Sequence, residues 1–559
     1  MAVHRRWWLQ DERARHLAGG LLGVVWALAF PTPGWAGLAW VVPGLLWLVT
    51  GGLTPAAVFR VGFVVGLIHH LVALRWLTQM PHSVGAVAGW GALSGYCAVY
   101  AGAWVWLADR LGRSMPGTGT VLARIAAQSW IQRGVFWWVL AAGWVALEMI
   151  RARFLSGFAW NFLGASQWRQ LPLIQVAAVT GVYGVSFLVC WVSLSMVGAV
   201  VSLVSRPTDR WAWTAETRLP LLALLLIAGG GFWRVLAYRR ERSVAPQSLR
   251  LALIQPSIPQ TLQWDARADA ASFARIRDLS AQALALRPDA LIWPEGSFGL
   301  DRNTWSQMTN QTVAARVSWV FNTATETQTG APQNSAVHLD LDGQWRGQYD
   351  KRRLVMFGEY VPLVRWLPWL RYLTPIGTSF AAGREPVPFF LPFGPGRTNA
   401  AEVAPIICFE DTFPHGVREH VRWNTDFILE LTNDAWFGES SAQWQHAANG
   451  AFRAIENGRP LVRCANNGLT VWFDPVGVPR ELFGARSGEA TELARRVYGP
   501  GFQMITLPVG SWRRETYYHR RGDVFGWTCV AWTGWAWFRS RRGPGATAGI
   551  QSRSRAISA

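Results

Sequence analysis

One lysine stands among the 53 Lys and Arg residues of this chain, at position 351; the other 52 are arginine. Arginine serves wherever a surface positive charge is enough. It does not serve where a compact ammonium must fit a tight site, aim three donors or change its protonation. Lys351 is therefore the first candidate for chemistry. Two residues join it: Glu295 in Leu-Ile-Trp-Pro-Glu-Gly and Cys408 in Pro-Ile-Ile-Cys-Phe-Glu-Asp. A carboxylate, an ammonium and a thiol, each ending or following an apolar run, form a set that can carry covalent acyl chemistry. The thiolate attacks, a desolvated Glu takes the thiol proton, and Lys with the backbone N–H groups after the Cys holds the developing oxyanion. The soluble part contains no Gly-x-Ser-x-Gly elbow that would suggest a serine nucleophile instead.

Taken singly, each residue also has a structural use. A Glu after Trp-Pro serves as a turn or surface carboxylate, and a Cys after a β-run commonly packs in a core. Cys464 in Leu-Val-Arg-Cys-Ala-Asn-Asn fits that core use, and Cys97, Cys190 and Cys529 lie in apolar stretches where Cys packs as a small hydrophobe. Five Cys is an odd count and implies no disulfide framework. His446 has no second His or Cys at ligand spacing, so it reads as a polar residue on a helix face, and no metal or cofactor is expected. The functional reading rests on the three residues occurring together, in this order, with these flanks.

The elements that must position them fall into two kinds. Residues 1–245 read as membrane, with apolar runs near 17–33, 36–52, 55–78, 86–108, 135–153, 172–204 and 218–238. The first run follows Arg5, Arg6, Arg13 and Arg15 and resembles a signal peptide, but the six further runs and the lack of a clear cleavage site favour an uncleaved anchor. Residues 246–518 change character. Leu251–Gln255, Ala290–Trp293, Val317–Phe321, Ser335–Leu339, Ala404–Cys408 and Phe427–Leu431 read as strands, and Ala266–Leu286 and Gln443–Glu456 have helical spacing. This is an α/β domain. Residues 519–559 hold an eighth apolar run, near 523–538, and a basic tail.

The formal net charge of +19 is carried by dispersed arginines, with no zinc-finger or RNP-type motif, so nucleic acid is not the expected partner; arginines flanking apolar spans beside anionic lipid are. Arginines gather at the N-terminus, at 110–133, at 206–218 and in the tail. Placing all four segments in the cytoplasm requires an even number of spans, which eight satisfies, and puts the α/β domain outside the cytoplasmic membrane. Arg151 and Arg153, and the group Arg234, Arg239, Arg240 and Arg242, run against that pattern.

The order Trp-Pro-Glu, then Tyr-Asp-Lys-Arg, then Ile-Cys-Phe-Glu resembles the nitrilase superfamily with its Glu–Lys–Cys triad. A closer resemblance is to the bacterial apolipoprotein N-acyltransferases. It is carried by Ile254-Gln-Pro-Ser-Ile-Pro-Gln with Trp264 downstream, Phe357-Gly-Glu-Tyr-Val-Pro362, Leu431-Thr-Asn-Asp-Ala-Trp-Phe-Gly438, Arg453-Ala-Ile-Glu-Asn-Gly-Arg-Pro460 and Asn466-Asn-Gly. Leu28-Ala-Phe-Pro and Gly157-Phe-Ala-Trp-Asn-Phe-Leu-Gly164 extend it into the membrane part. The resemblance implies a polytopic helical bundle of about eight spans bearing an αββα nitrilase-like sandwich that faces the periplasm from the bacterial inner membrane. It implies transfer of a fatty acyl chain from phospholipid, through a cysteine thioester, to the amine of a diacylglyceryl-cysteine at an apolipoprotein N-terminus. By position, Cys408 is the nucleophile, Glu295 the base and Lys351 the oxyanion and positioning residue. Glu359 and Glu410 support the site, and Trp264 lies on a substrate-side loop. Two residues depart from the pattern: Phe409 stands where Tyr is common, leaving an aromatic wall without a phenol hydroxyl, and Met356 stands where Pro is common, which is expected to loosen the loop to Glu359.

The chemistry agrees with such a reaction. A soluble amidase needs no anchor of eight spans, whereas an enzyme with a lipid donor and a lipidated acceptor does. A thioester splits the transfer into two steps, so one site serves two bulky substrates in turn. A membrane-anchored amidase that uses water as acceptor, and a transporter or receptor with a nitrilase-like binding domain, are the rival readings.

Overall fold

The structure is a computed structural model that describes residues 12–541 apart from 82, 206–209, 243–246, 263–265, 297–301, 375, 485–496 and 511–513. The first part is a bundle. Its helices are α1 (Glu12–Leu28), α2 (Val42–Thr50), α3 (Pro55–Ala73), α4 (Ser83–Arg113), α5 (Val121–Ala127), α6 (Trp130–Arg151), α7 (Leu171–Ile174), α8 (Ala177–Thr180), α9 (Val182–Ser205) and α10 (Arg210–Arg242). A final helix, Val524–Arg541, returns from the α/β part and packs on α6.

Every apolar run lies on a helix, but not every run is a straight span. Among the described residues, five helices are long and apolar enough to cross a membrane: α3, α4, α6, and the bodies of α9 and α10. The run at 36–52 corrects the expectation of a continuous span. It is a 3-10 turn, Ala36–Trp40, followed by the nine-residue α2 with Pro43 in its first turn. At 1.5 Å per residue α2 covers about 14 Å, against a hydrocarbon core of about 30 Å. The run at 172–204 is likewise divided: Gly181, at φ +67°, separates α8 from α9.

The two ends of the bundle differ in charge. Around the start of α3, Arg60 pairs with Glu12 at 2.7 Å, Arg15 donates to Val49 O, and Arg113 donates to Leu53 O while pairing with Asp109. Arg124 caps the same end by donating to Arg113 O. About 28 Å away along α3, Ala73 O accepts from Gln445 of the α/β part. The arginine-rich end and the α/β part therefore lie at opposite ends. Arg151 and Arg153 have protein partners at the α/β end: Arg151 Nη1 lies 3.2 Å from His70 Nε2 and Nη2 donates to Trp160 O, and Arg153 pairs with Asp523.

The α/β part is two six-stranded sheets. The first has the order β12-β1-β2-β3-β4-β5 and the second β11-β10-β9-β8-β7-β6. The strands are β1 (Gln247–Gln255), β2 (Ala290–Ile292), β3 (Ser318–Glu326), β4 (Pro332–Leu339), β5 (Trp345–Asp350), β6 (Phe389–Phe393), β7 (Asn399–Ile407), β8 (Thr425–Thr432), β9 (Leu461–Ala465), β10 (Val471–Phe473), β11 (Pro479–Arg480) and β12 (Gly501–Val509). In the middle of each sheet three strands run parallel, β1-β2-β3 and β7-β8-β9. Their inner faces meet in one apolar layer, with Leu251, Leu253, Ile292 and Val320 against Ile407, Leu429 and Val462.

Helices α11 (Ala266–Leu284) and α12 (Arg302–Ala315) follow in the first half, and Ile276 and Phe273 of α11 cover Trp293 and Trp319 outside the first sheet. The outer face of the second sheet is covered by α13 (Pro414–His420) and α14 (Ala442–Asn457), whose Val417, Phe452 and Ile455 join Ile406 and Ile428 to the bundle core at Ala152, Ala177 and Val182. This is an αββα sandwich set on a helical bundle, as expected. The six expected strands and both expected helices are present. β5, β6 and β9–β12, together with α12 and α13, are additional.

Candidate active site

Cys408 follows the last residue of β7, at the C-terminal end of a parallel strand. The chain turns there into a 3-10 segment, Cys408–Thr412, and Cys408 itself takes φ +52°. A side chain other than Gly in that region costs about 1–3 kcal/mol and persists only when its surroundings impose it. Glu410 imposes it. One carboxylate oxygen accepts from Ile407 N (2.8 Å), and the other from Arg352 N (2.8 Å) and Arg353 N (3.1 Å). The hydroxyl of Tyr349 reaches both oxygens, at 2.7 and 2.8 Å. Glu410 thus ties the nucleophile turn to the segment carrying Lys351. The turn leaves the Cys408 side chain 8% exposed.

Lys351 and Glu295 arrive from the other sheet. Glu295 stands just beyond β2, after Pro294, and Lys351 just beyond β5. Lys351 is 1% exposed, and its ammonium donates to Glu295 Oε1 (3.1 Å) and Glu359 Oε1 (2.9 Å). Glu359 Oε2 accepts from Val355 N at 2.8 Å, and Phe357 N donates to Tyr360 O. These bonds close the loop that contains Met356. Among the described residues, Glu295 Oε2 is buried without a hydrogen-bond partner, the one acceptor of the carboxylate pair left open for a proton.

The charges follow from burial and neighbours. Burial works against the Lys351 ammonium, but Glu295 and Glu359 outweigh it and hold its pKa well above the ordinary lysine range. Burial first, then the Glu295 carboxylate, raise the Cys408 thiol well above its ordinary value, with Lys351 opposing them. The resting site is therefore a neutral thiol facing an ammonium and two carboxylates. The nucleophile must be created when its proton leaves.

Sequence reading missed Asn334. Its amide Nδ2 donates to Glu295 Oε1 (2.9 Å) and Glu359 Oε1 (2.7 Å), and its carbonyl accepts from Asn322 Nδ2 (2.6 Å). Asn322 in turn accepts from Gly296 N. Two strand asparagines thus fix both carboxylates. The only signal for them was an amide on a strand, which is depleted in Asn.

Phe409 stacks loosely with Phe158 and Trp160 of the bundle, at centroid distances of 6.2 and 6.4 Å, and meets Phe413 edge-on at 5.1 Å. Its ring faces the bundle. Gln445 of α14 fixes that boundary: its Oε1 accepts from Trp160 Nε1, Asn161 Nδ2 and Trp76 Nε1, and its amide donates to Pro31 O and Ala73 O. Trp264 lies outside the described residues.

His446 is not a simple helix-face residue. It is buried, with Nδ1 2.9 Å from Asp434 Oδ1 and Nε2 2.9 Å from Asp411 Oδ1. Burial disfavours its charge, but Asp411 and Asp434 overcome that and lift its pKa to about 10. Donor atoms of Asp411, Glu430 and His446 lie within 4.8 Å of one another, a spacing that a metal ion could bridge. Arg463 already pairs there with Glu430 and Asp434, so the cluster has its own cation. Cys464 is buried on β9, with its thiol toward Ile254 O.

Known proteins share both parts of this architecture. Residues 22–195 match the family model for the apolipoprotein N-acyltransferase N-terminal domain, and residues 250–499 match that for carbon-nitrogen hydrolases. A protein of Geobacter metallireducens named apolipoprotein N-acyltransferase is 33% identical over 93% of this chain and 94% of its own length. One of Bradyrhizobium diazoefficiens with the same name is 30% identical over 79% of this chain and 75% of its own. Among solved structures, an amidase from Nesterenkonia sp. aligns with 49% of this chain and 93% of its own at 19% identity, with a TM-score of 0.35.

Proposed function

The chain belongs to the apolipoprotein N-acyltransferase family, and from that premise we propose that Cys408 carries a fatty acyl chain as a thioester between a phospholipid donor and the amine of a diacylglyceryl-cysteine. In the first step Glu295 Oε2 takes the Cys408 proton as the sulfur attacks an ester carbonyl of the phospholipid. Lys351 and the backbone N–H groups after Cys408 hold the oxyanion. The C–O bond breaks, and Glu295 returns the proton to the departing lysophospholipid oxygen. In the second step the acceptor amine enters, Glu295 takes its proton, and the nitrogen attacks the thioester carbonyl. The amide forms, the C–S bond breaks, and the sulfur leaves as thiol with that proton.

One observation supports this reading above the others: Glu295 presents a buried Oε2 that is unpartnered among the described residues, while its Oε1 is fixed by Lys351 and Asn334. A carboxylate so held is oriented for repeated proton transfer at one atom. Glu359 and Asn334 are positioning residues, and Glu410 holds the turn. The arginine-rich end opposite the α/β part supports an inner-membrane protein with its catalytic part in the periplasm.

The test uses purified protein, a phospholipid and a diacylated lipopeptide with a free N-terminal cysteine amine. Amide-linked third acylation with parallel double-reciprocal plots is the expected result. Release of free fatty acid at the same rate with and without lipopeptide would instead identify a membrane-bound hydrolase.

A further inference from the structure

Beside the nucleophile turn, with Glu410 in its wall, lies a polar cavity of about 160 Å³ that the chemistry above does not use. Arg352, Arg353 and Arg384 line it, with the backbone at Gly383 and Gly416 and the imidazole of His420. Two carboxylates reach it, and both have other work. Glu410 is saturated by Tyr349 and three backbone N–H groups, and Glu419 pairs with Arg352 at 2.8 Å.

Among the described residues, that leaves two guanidinium groups without a carboxylate. Arg353 meets the His415 ring at 3.3 Å and lies over Phe413 at 5.5 Å, and Arg384 is exposed. His415 and His420 do not cancel the charge. Burial holds both imidazoles below their ordinary pKa, His415 at about 4, so neither brings a charge of its own near neutral pH. The cavity is therefore an electropositive pocket lined by forked donors, the geometry that suits the oxygens of a phosphate.

Its place in the molecule narrows the ligand. Arg352 follows Lys351 directly, and Glu410 is two residues beyond Cys408, so the pocket wall and the nucleophile turn share one carboxylate. On its other side α13 faces the bundle: Arg418 donates to His519 O, and the charges of Arg153 and Asp523, at the entry to the final helix, act on His415. In a glycerophospholipid the phosphate lies only a few bonds from the ester carbonyls.

We propose that the pocket formed by Arg352, Arg353 and Arg384 binds the phosphodiester of a phospholipid headgroup and so sets the donor's ester against Cys408. This deepens the acyl-transfer reading and rests on it. The shared chemistry is a phosphate oxyanion, which a lipid headgroup or free phosphate can supply, and the assignment is to the headgroup.

The experiment measures acylation of Cys408 in the full-length protein with two donors: a short-chain phosphatidylglycerol, and a p-nitrophenyl ester of the same acyl chain, which has no phosphate. Arg353→Gln and Arg384→Gln are each expected to raise KM for the phospholipid about tenfold, within the range of a charge-assisted hydrogen bond, and to leave kcat and the p-nitrophenyl ester kinetics unchanged. Inorganic phosphate should compete with the phospholipid and not with the p-nitrophenyl ester. Because Arg384 is exposed, its variant separates loss of a ligand contact from loss of fold. Equal losses with both donors would overturn the proposal by showing a structural role. Binding of inorganic phosphate, read by calorimetry, with unchanged phospholipid KM in both variants would overturn it in favour of a free-phosphate site. If wild-type protein is acylated by the p-nitrophenyl ester and never by phospholipid, it is the acyl-donor reading that falls.

Discussion

Replacing Lys351 by arginine keeps the charge and removes the shape. The ammonium is 1% exposed and donates to two carboxylate oxygens, at 3.1 and 2.9 Å, that share a second donor in Asn334. A point donor can serve both and still turn a third N–H toward an oxyanion. A guanidinium is planar and wider, and once its fork meets Glu295 and Glu359 no N–H is left aimed at the substrate. Loss of one oxyanion donor costs about 10²–10³ in turnover, and forcing a larger group into the packed site costs about 1–3 kcal/mol of stability. Lys351→Arg is therefore expected to fold with a lowered Tm and to acylate at least about 10² times more slowly. Lys351→Met should be less stable still, by about 3–5 kcal/mol, because it leaves two buried carboxylates facing each other. Single-turnover acylation by mass spectrometry gives the rate, and thermal unfolding in detergent gives the stability. Arg346→Lys is the control, since Arg346 is an exposed partner of Asp340. Wild-type acylation by Lys351→Arg would refute the point-donor role and leave the single lysine an accident of composition.

Asn334→Leu should lower turnover by about tenfold or more, the scale of losing a hydrogen bond to a charged group, while leaving Cys408 reactive to a small alkylating reagent; an unchanged turnover would remove Asn334 from the site. His446 has its pKa raised to about 10 from an ordinary 6.5. The folded protein then binds more protons than the unfolded chain between those values, so the stabilisation is complete below about pH 6.5 and is lost as pH rises through about 10. Thermal unfolding from pH 6 to 10.5 should show a fall in Tm that His446→Gln flattens, and equal slopes in both proteins would contradict the assignment. For orientation, an impermeant thiol reagent on spheroplasts should label Asp342→Cys, in the exposed turn before β5, and spare Thr118→Cys at the arginine-rich end, both made in a background where labelling of the native cysteines is subtracted; the reverse pattern would invert the topology.

The parts of this protein most visible in sequence are those where physical constraints leave a regular trace. Cys408 follows an apolar run that closes β7, so its position at a strand terminus is readable from Ala404–Ile407 alone. Glu295 is readable in the same way from Ala290–Trp293. β9 is hidden because Arg463 interrupts its apolar pattern, and only the fold reveals that Glu430 and Asp434 neutralise that arginine within the protein. The runs at 36–52 and 172–204 look continuous in hydropathy because the breaks at Val41 and Gly181 do not change apolarity. Asn322 and Asn334 escape for a different reason: their partners come from distant segments, and an amide on a strand says nothing of what it will meet. His446 was read as isolated because its carboxylates, Asp411 and Asp434, lie outside any ligand spacing along the chain.

The central claim is that the acyl group rests on one sulfur. Purified protein incubated with phospholipid alone, then digested and weighed, should carry one fatty acyl mass on the peptide containing Cys408, and hydroxylamine or added lipopeptide should remove it. Cys408→Ala should show no adduct, and Cys464→Ala should acylate normally. An acyl group found on Cys464 or on any other residue, or transfer to lipopeptide that persists in Cys408→Ala, would contradict the account.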